Sequence, residues 1–152
     1  MRPTDELLQD AVRRRDVGWL SGHLDASLCR PALLAPLLRH EDSRLRHLGL
    51  TLVTERIASG RVADDAELAE LAALLPDAVT GPPEVALALA GLYGRLGPFL
   101  RGRPWPSWRT AALPVRVRIA WLRAELLIEP AVLRKHSPGE LLYQAVRGVS
   151  VT

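Results

Sequence analysis

Leucine spacing between Pro31 and Gly60, in PALLAPLLRHEDSRLRHLGLTLVTERIASG, commits this part of the chain to a pair of helices. Leu33, Leu34, Leu37 and Leu38 recur at i, i+1, i+4 and i+5 and so fall on one helical stripe. Downstream, Leu45, Leu48, Gly49, Leu50, Leu52, Val53 and Ile57 occupy an arc about 200° wide when each residue advances about 100°. An apolar arc of that width has to be covered from two sides. Arg44, His47, Thr51, Thr54 and Glu55 fill the remainder and read as the wet face. Asp42 stands where a short side-chain oxygen can accept from the free amides of the second helix, so it is the expected N-cap. Gly60 is the expected stop.

The flanking segments repeat this grammar. Thr4 is placed to cap a first helix running to about Arg14, with Asp5 and Glu6 in its first turn and Arg13, Arg14 and Arg15 at its end, as the helix dipole favours. Asp16 starts a second helix, with Val17, Leu20 and Leu24 inward, that the Arg30-Pro31 step ends. Asp64 starts another, with Glu67 as the partner of a capping box and Leu68, Leu71, Leu74 and Leu75 inward. Pro83 opens a helix to Gly97 with the stripe Val85, Leu89, Leu92 and Leu96. No charge lies between Glu84 and Arg95, so this helix, with Leu87, Gly91 and Gly94 on its back, is expected to be covered nearly all round. Packing explains Gly91 and Gly94, and a helix end explains Gly97. From Pro114 to Ile128 the stripe is Val115, Ile119, Leu122 and Leu126, with Val117 and Trp121 on the other side. Glu129-Pro130 opens a short helix. Ser137 caps a last one that buries Leu141, Leu142, Ala145, Val146 and Val149.

Composition supports an all-α reading: Ala, Leu and Arg dominate while β-branched and aromatic residues are sparse. At 152 residues the chain is expected to form one domain, 1–152, with helical hairpins over about 4–97, an irregular stretch at 98–114 and C-terminal helices over 114–149. The single cysteine, Cys29, excludes an internal disulfide and reads as a small buried apolar residue. The N-terminus MRPTDELLQD lacks the apolar core of a secretion signal, and the run Val85 to Tyr93 is too short to cross a bilayer. A cytoplasmic protein is expected. Charge is unevenly spread. Residues 64–94 carry six acids and no base, whereas 95–152 carry ten bases against Glu125, Glu129 and Glu140.

The paired helices, the leucine-rich first helix, the Asp at the turn and the Arg-Leu opening in LLRHEDSRLRHLGLTLV resemble a HEAT repeat. Leu45, Leu48 and Leu52 correspond to Val85, Ala88 and Leu92 at a spacing of 40, so the resemblance covers about residues 31–97. It implies stacked antiparallel helix hairpins, a short solenoid or superhelical bundle, and a role in binding rather than catalysis.

Phosphate loops, dinucleotide fingerprints, HExxH pairs and GxSxG elbows are missing from the sequence. His40 and His47 flank the main turn at a spacing unlike that of zinc ligands. No catalytic residue, metal or cofactor is expected. What stands out is PFLRGRPWPSWRTAALP, Pro98 to Pro114, with four prolines, two tryptophans, three arginines and room for a short helix over 107–113. Loops of this length inside a compact domain are often functional. Arg101, Arg103, Trp105, Trp108 and Arg109, followed by Arg116, Arg118 and an outward Trp121, form the candidate partner-binding surface, because Arg and Trp concentrate at interface hot spots. Three readings fit it: a lid of tryptophans folded over the end of the stack, a contact for a protein or an acidic peptide, or a platform for nucleic acid. The expected function is a non-enzymatic adaptor for a protein or peptide partner. The alternatives are a nucleic-acid-binding helical repeat and the accessory subunit of an enzyme.

Overall fold

A computed structural model describes residues 5–25, 29–60, 64–76, 79, 82–100, 105–108, 112–128 and 137–147. Among the described residues the fold is all-α: eight helices and no strand. The chain divides into two compact units, Met1–Leu74 and Leu75–Thr152.

The first unit holds α1 (Asp5–Arg13), α2 (Val17–His23), α3 (Pro31–Leu38), α4 (Ser43–Ala58) and α5 (Asp65–Leu74). α1 pairs with α2 and α3 with α4, while α2 also lies on α4 and α3 on α5. α1 ends in a left-handed Arg15, φ 57°, with Asp16 N donating to Ala11 O and Arg15 N to Val12 O, which satisfies the last carbonyls. Asp16 then caps α2 by accepting from Trp19 N at 3.1 Å. α2 is shorter than the sequence suggests. Leu24 is already extended (ψ 124°), and His23 turns back to stack on Trp19 and bond its carbonyl.

The α3–α4 hairpin is set by its turn. Asp42 Oδ1 accepts from Arg44 N at 2.9 Å, the expected cap, and the Arg44 guanidinium grips the same carboxylate. Arg46 straps the turn by donating to the carbonyls of His40 (3.0 Å) and Glu41 (2.8 Å). The end of α3 then crosses α4 at Gly49, where a Cβ would stand 3.1 Å from Leu37 Cβ and 3.2 Å from Leu38 N. Even a methyl group there would be tight, and the end of α3 would have to give by a few tenths of an ångström. Gly60, φ 72°, follows the end of α4 as expected. Leu33 departs from its predicted stripe and is exposed, whereas Leu34, Leu37 and Leu38 are buried.

A buried ion pair ties α4 to α5. Arg56 Nε donates to Glu67 Oε1 at 2.6 Å, with side chains 8% and 12% exposed. Glu67 therefore does not complete the capping box, although Asp64 does accept from its amide at 3.0 Å. Burial pushes the Cys29 thiol above its ordinary pKa, in keeping with an inert packed side chain.

The second unit holds α6 (Pro83–Arg95), a 3-10 turn at Gly97–Phe99, α7 (Val115–Ile128) and α8 (Pro138–Arg147). α7 packs on both α6 and α8. Gly94 meets Ala124 and Gly97 meets Ile128, so contacts advance together along both chains and α6 runs parallel to α7. A parallel pair needs a connection that returns the full length of the helix, about 20 Å for the 13 residues of α6. The Pro/Trp segment is that crossover; of its described residues, 98–99 close the 3-10 turn, and 105–108 and 112–114 are not helical. Ser137 caps α8 through Glu140 N at 3.2 Å. Leu141 is buried there as expected, but Leu142 and Val146 are exposed. The Thr4 cap, the helix at Glu129-Pro130 and Val149 lie outside the described residues.

Candidate interaction surface

The tryptophans of the predicted surface sit inside the second unit. Trp108 and Trp121 are both fully buried, which overturns the outward placement of Trp121. Val117, Trp121 and Ala124 form the inner stripe of α7, while Val115 of the expected stripe is exposed. The reason is the double packing of α7: with α6 and α8 on different sides, the inward arc is broader than one stripe. Trp121 Nε1 donates to Ala86 O at 3.1 Å. The crossover lays Trp105 edge-on against Tyr93 (centroids 5.0 Å, 83°) and Trp121 (6.0 Å, 84°), and Tyr93 touches Trp121 at 5.2 Å. Tyr93 Oη then donates to Pro76 O at 2.7 Å. Each aromatic pair contributes about 0.5–1.5 kcal/mol beyond area burial, which makes this cluster the anchor of the unit. Trp105 Nε1 and Arg118 Nε are shut from solvent without an acceptor among the described residues.

Of the predicted arginines, Arg116 is exposed and Arg118 half-buried. Arg101, Arg103 and Arg109 lie outside the described residues. The structure thus separates the candidates, with Trp108 and Trp121 in the core, Trp105 half-buried beside them and Arg116 on the surface.

The back of α6, expected to be covered, is open. Leu87, Ala90, Gly91, Gly94 and Arg95 from α6 and Ala120, Arg123, Ala124 and Leu127 from α7 line a shallow groove of about 340 Å³. A Cβ on Gly91 would meet nothing within 4 Å, and one on Gly94 would make ordinary contact with Ala124 at 3.7 Å. These glycines therefore widen a groove and do not serve a tight packing contact. The glycine that packing demands is Gly97, whose Cβ would fall 2.4 Å from Ile128 Cγ1. Leu127, 74% exposed, stands at the groove's edge. Exposed Arg95 and Arg123 flank it, and Arg116 lies one turn before Ala120 on the same face of α7. None of these three arginines has an ion-pair or hydrogen-bond partner among the described residues. An apolar floor with unpaired cations at its rim suits a ligand that brings small or apolar side chains and carboxylates.

No known protein family, curated protein or solved structure matches this chain.

A second concavity, about 480 Å³, lies in the first unit between α1 and α3, lined by Leu8, Val12, Leu33 and Pro36 among others. Its one cation, Arg13, already faces Asp10 at 3.6 Å, so it offers no unpaired charge. No three His, Cys, Asp or Glu side chains among the described residues are grouped to hold a metal ion, and His40 Nδ1 is used to accept from Asp42 N. No described helix is long and apolar enough to cross a membrane. Sequence reasoning missed Arg95, Arg123 and Leu127. The signal was present as the run Leu87, Gly91, Gly94/Arg95 on one helix and Arg116, Ala120, Arg123, Leu127 on the other, each on a single helical face.

Proposed function

We propose that this chain is a non-enzymatic protein-interaction module, a HEAT-like adaptor that takes a protein or peptide partner on the basic face of its C-terminal unit. The observation that carries this reading is the α6–α7 groove, whose floor is apolar and whose arginines have no partner among the described residues. Unpaired surface arginines beside exposed leucine are what an interface leaves when its partner is away. The hairpin order supports the repeat-like part of the reading: α1–α2 and α3–α4 pair, and α2 on α4 and α3 on α5 stack like with like. The contact residues shift from those expected. Arg116 remains, Arg95 and Arg123 join it, and the tryptophans shape the support underneath. Burial of Trp108 and Trp121 leaves two fewer rings for bases to stack on, which favours the protein or peptide partner over nucleic acid.

Affinity capture from a lysate of the source cells tests the reading, with wild type compared against an Arg95→Glu/Arg123→Glu chain of unchanged circular dichroism. The proposal expects proteins retained by wild type and lost by the variant. Identical captured sets would overturn it, and capture abolished by nuclease would favour nucleic acid.

A further inference from the structure

The groove is a basic, small-floored trough, and the same chain carries a surface of matching shape and opposite sign. α5 exposes Asp65, Ala66, Ala69, Glu70 and Ala73, a single helical stripe because residues three and four apart share a face. Glu67 is turned to Arg56, and Asp64 is occupied as the cap. Asp65 and Glu70 have no partner among the described residues. The exposed stripe is thus an alanine ridge flanked by two unpaired carboxylates. The trough offers Gly91, Gly94, Ala120 and Ala124 beneath Arg95 and Arg123. Its run from Leu87 to Arg95 is about 12 Å long against about 15 Å for the ten residues of α5. Helices approach most closely where small residues face each other, so ridge and floor are suited to lie together. Exposed Glu84 and Arg116 stand toward the other end of the groove, one of each sign, which leaves the excess positive charge at Arg95 and Arg123.

Resting on the reading of this groove as an interaction site, we infer that its occupant is α5 of a second copy of the chain. The alanine ridge lies along the Gly91–Gly94 floor, and Asp65 and Glu70 meet Arg95 and Arg123. The two contacting surfaces differ, so the contact is heterologous, each copy offering α5 to one neighbour and its groove to another or to the same one. One short helix in a shallow groove buries less than a standard interface, so the contact is weak and sensitive to salt.

Static light scattering on the full chain tests this. Between about 10 and about 300 µM in about 20 mM salt, the weight-average mass rises roughly twofold or more, and it falls back to the monomer value at about 0.5 M salt, where screening is strong. The monomer reference is 16.7 kDa. Gly91→Leu fills the trough at a position with free space and replaces a poor helix former, so it melts no lower than wild type yet stays monomeric. Asp65→Asn/Glu70→Arg also stays monomeric. Each variant keeps the half that the other lacks, so their equimolar mixture reaches twice the monomer mass and stops there. The inference is overturned by wild type at monomer mass throughout, by Gly91→Leu associating as wild type does, or by a mixture that stays monomeric. The capture experiment with Arg95→Glu/Arg123→Glu then decides the wider reading separately: proteins lost from the variant mean a foreign partner in the groove, and none lost removes the interaction module as well.

Discussion

The α3–α4 pair and the α6–α7 pair each place glycine on an exposed or inward helix face, yet the glycines serve opposite ends. At Gly49 the neighbouring helix comes so near that a methyl group would press on the backbone of Leu38. At Gly91 the missing side chain leaves open space between two parallel helices. The first glycine closes an interface, and the second keeps a surface free. The supports differ too. The first unit is fastened by polar devices, namely the Asp42 cap, the Arg46 strap and the Arg56–Glu67 pair. The second is fastened by Tyr93, Trp105, Trp108 and Trp121 around a crossover.

Substitutions can break this contrast, starting with the aromatic support. Trp121→Ala removes a fully buried ring and its bond to Ala86 O, and is expected to cost about 3–5 kcal/mol in urea unfolding. Glu67→Ala takes from the buried Arg56 guanidinium its carboxylate, with an expected loss of about 3 kcal/mol, whereas an Arg56→Met/Glu67→Leu double change recovers most of it. The glycines come next. Gly49→Ala is expected to destabilise by about 1 kcal/mol, because the backbone it meets is stiff, while Gly91→Ala stabilises by up to about 1 kcal/mol through helix propensity. Equal signs for the two would erase the distinction. Trp105→Phe keeps an aromatic ring, discards an N–H that has no acceptor among the described residues, and is expected to shift the melting temperature little.

The smallest effect is electrostatic. Hydrogen bonds from the side chain and backbone of Arg44 hold the Asp42 carboxyl down to about 2. A folded value below the unfolded one, about 3.9, means the cap contributes fully above about pH 4 and is lost as pH falls through about 2. Asp42→Asn should flatten that part of the acid unfolding curve, and a carboxyl titration by NMR reads the value itself.

The hairpin at Pro31–Gly60 was legible from leucine spacing and the Asp42 cap because both are local signals. So were the starts of α2, α5 and α8, each fixed by one side-chain oxygen. What the sequence hid is what depends on neighbours. An apolar stripe does not say how many helices will cover it, so the back of α6 read as buried and Trp121 as exposed, and both were reversed. Nothing local to Arg56 marks it for burial; α5 buries it by bringing Glu67 against it. The crossover was visible as an irregularity, but its cause, a parallel helix pair, lies in three dimensions.

Amide chemical shifts followed across a concentration and salt series read the α6–α7 groove as a contact surface residue by residue. Salt-reversible shifts concentrated at Gly91, Gly94, Leu127 and Glu70 are predicted. Shifts gathered instead at Leu142, Tyr143 and Val146 on α8, or at Leu7 and Leu33 in the first unit, with the groove amides unmoved, would contradict it.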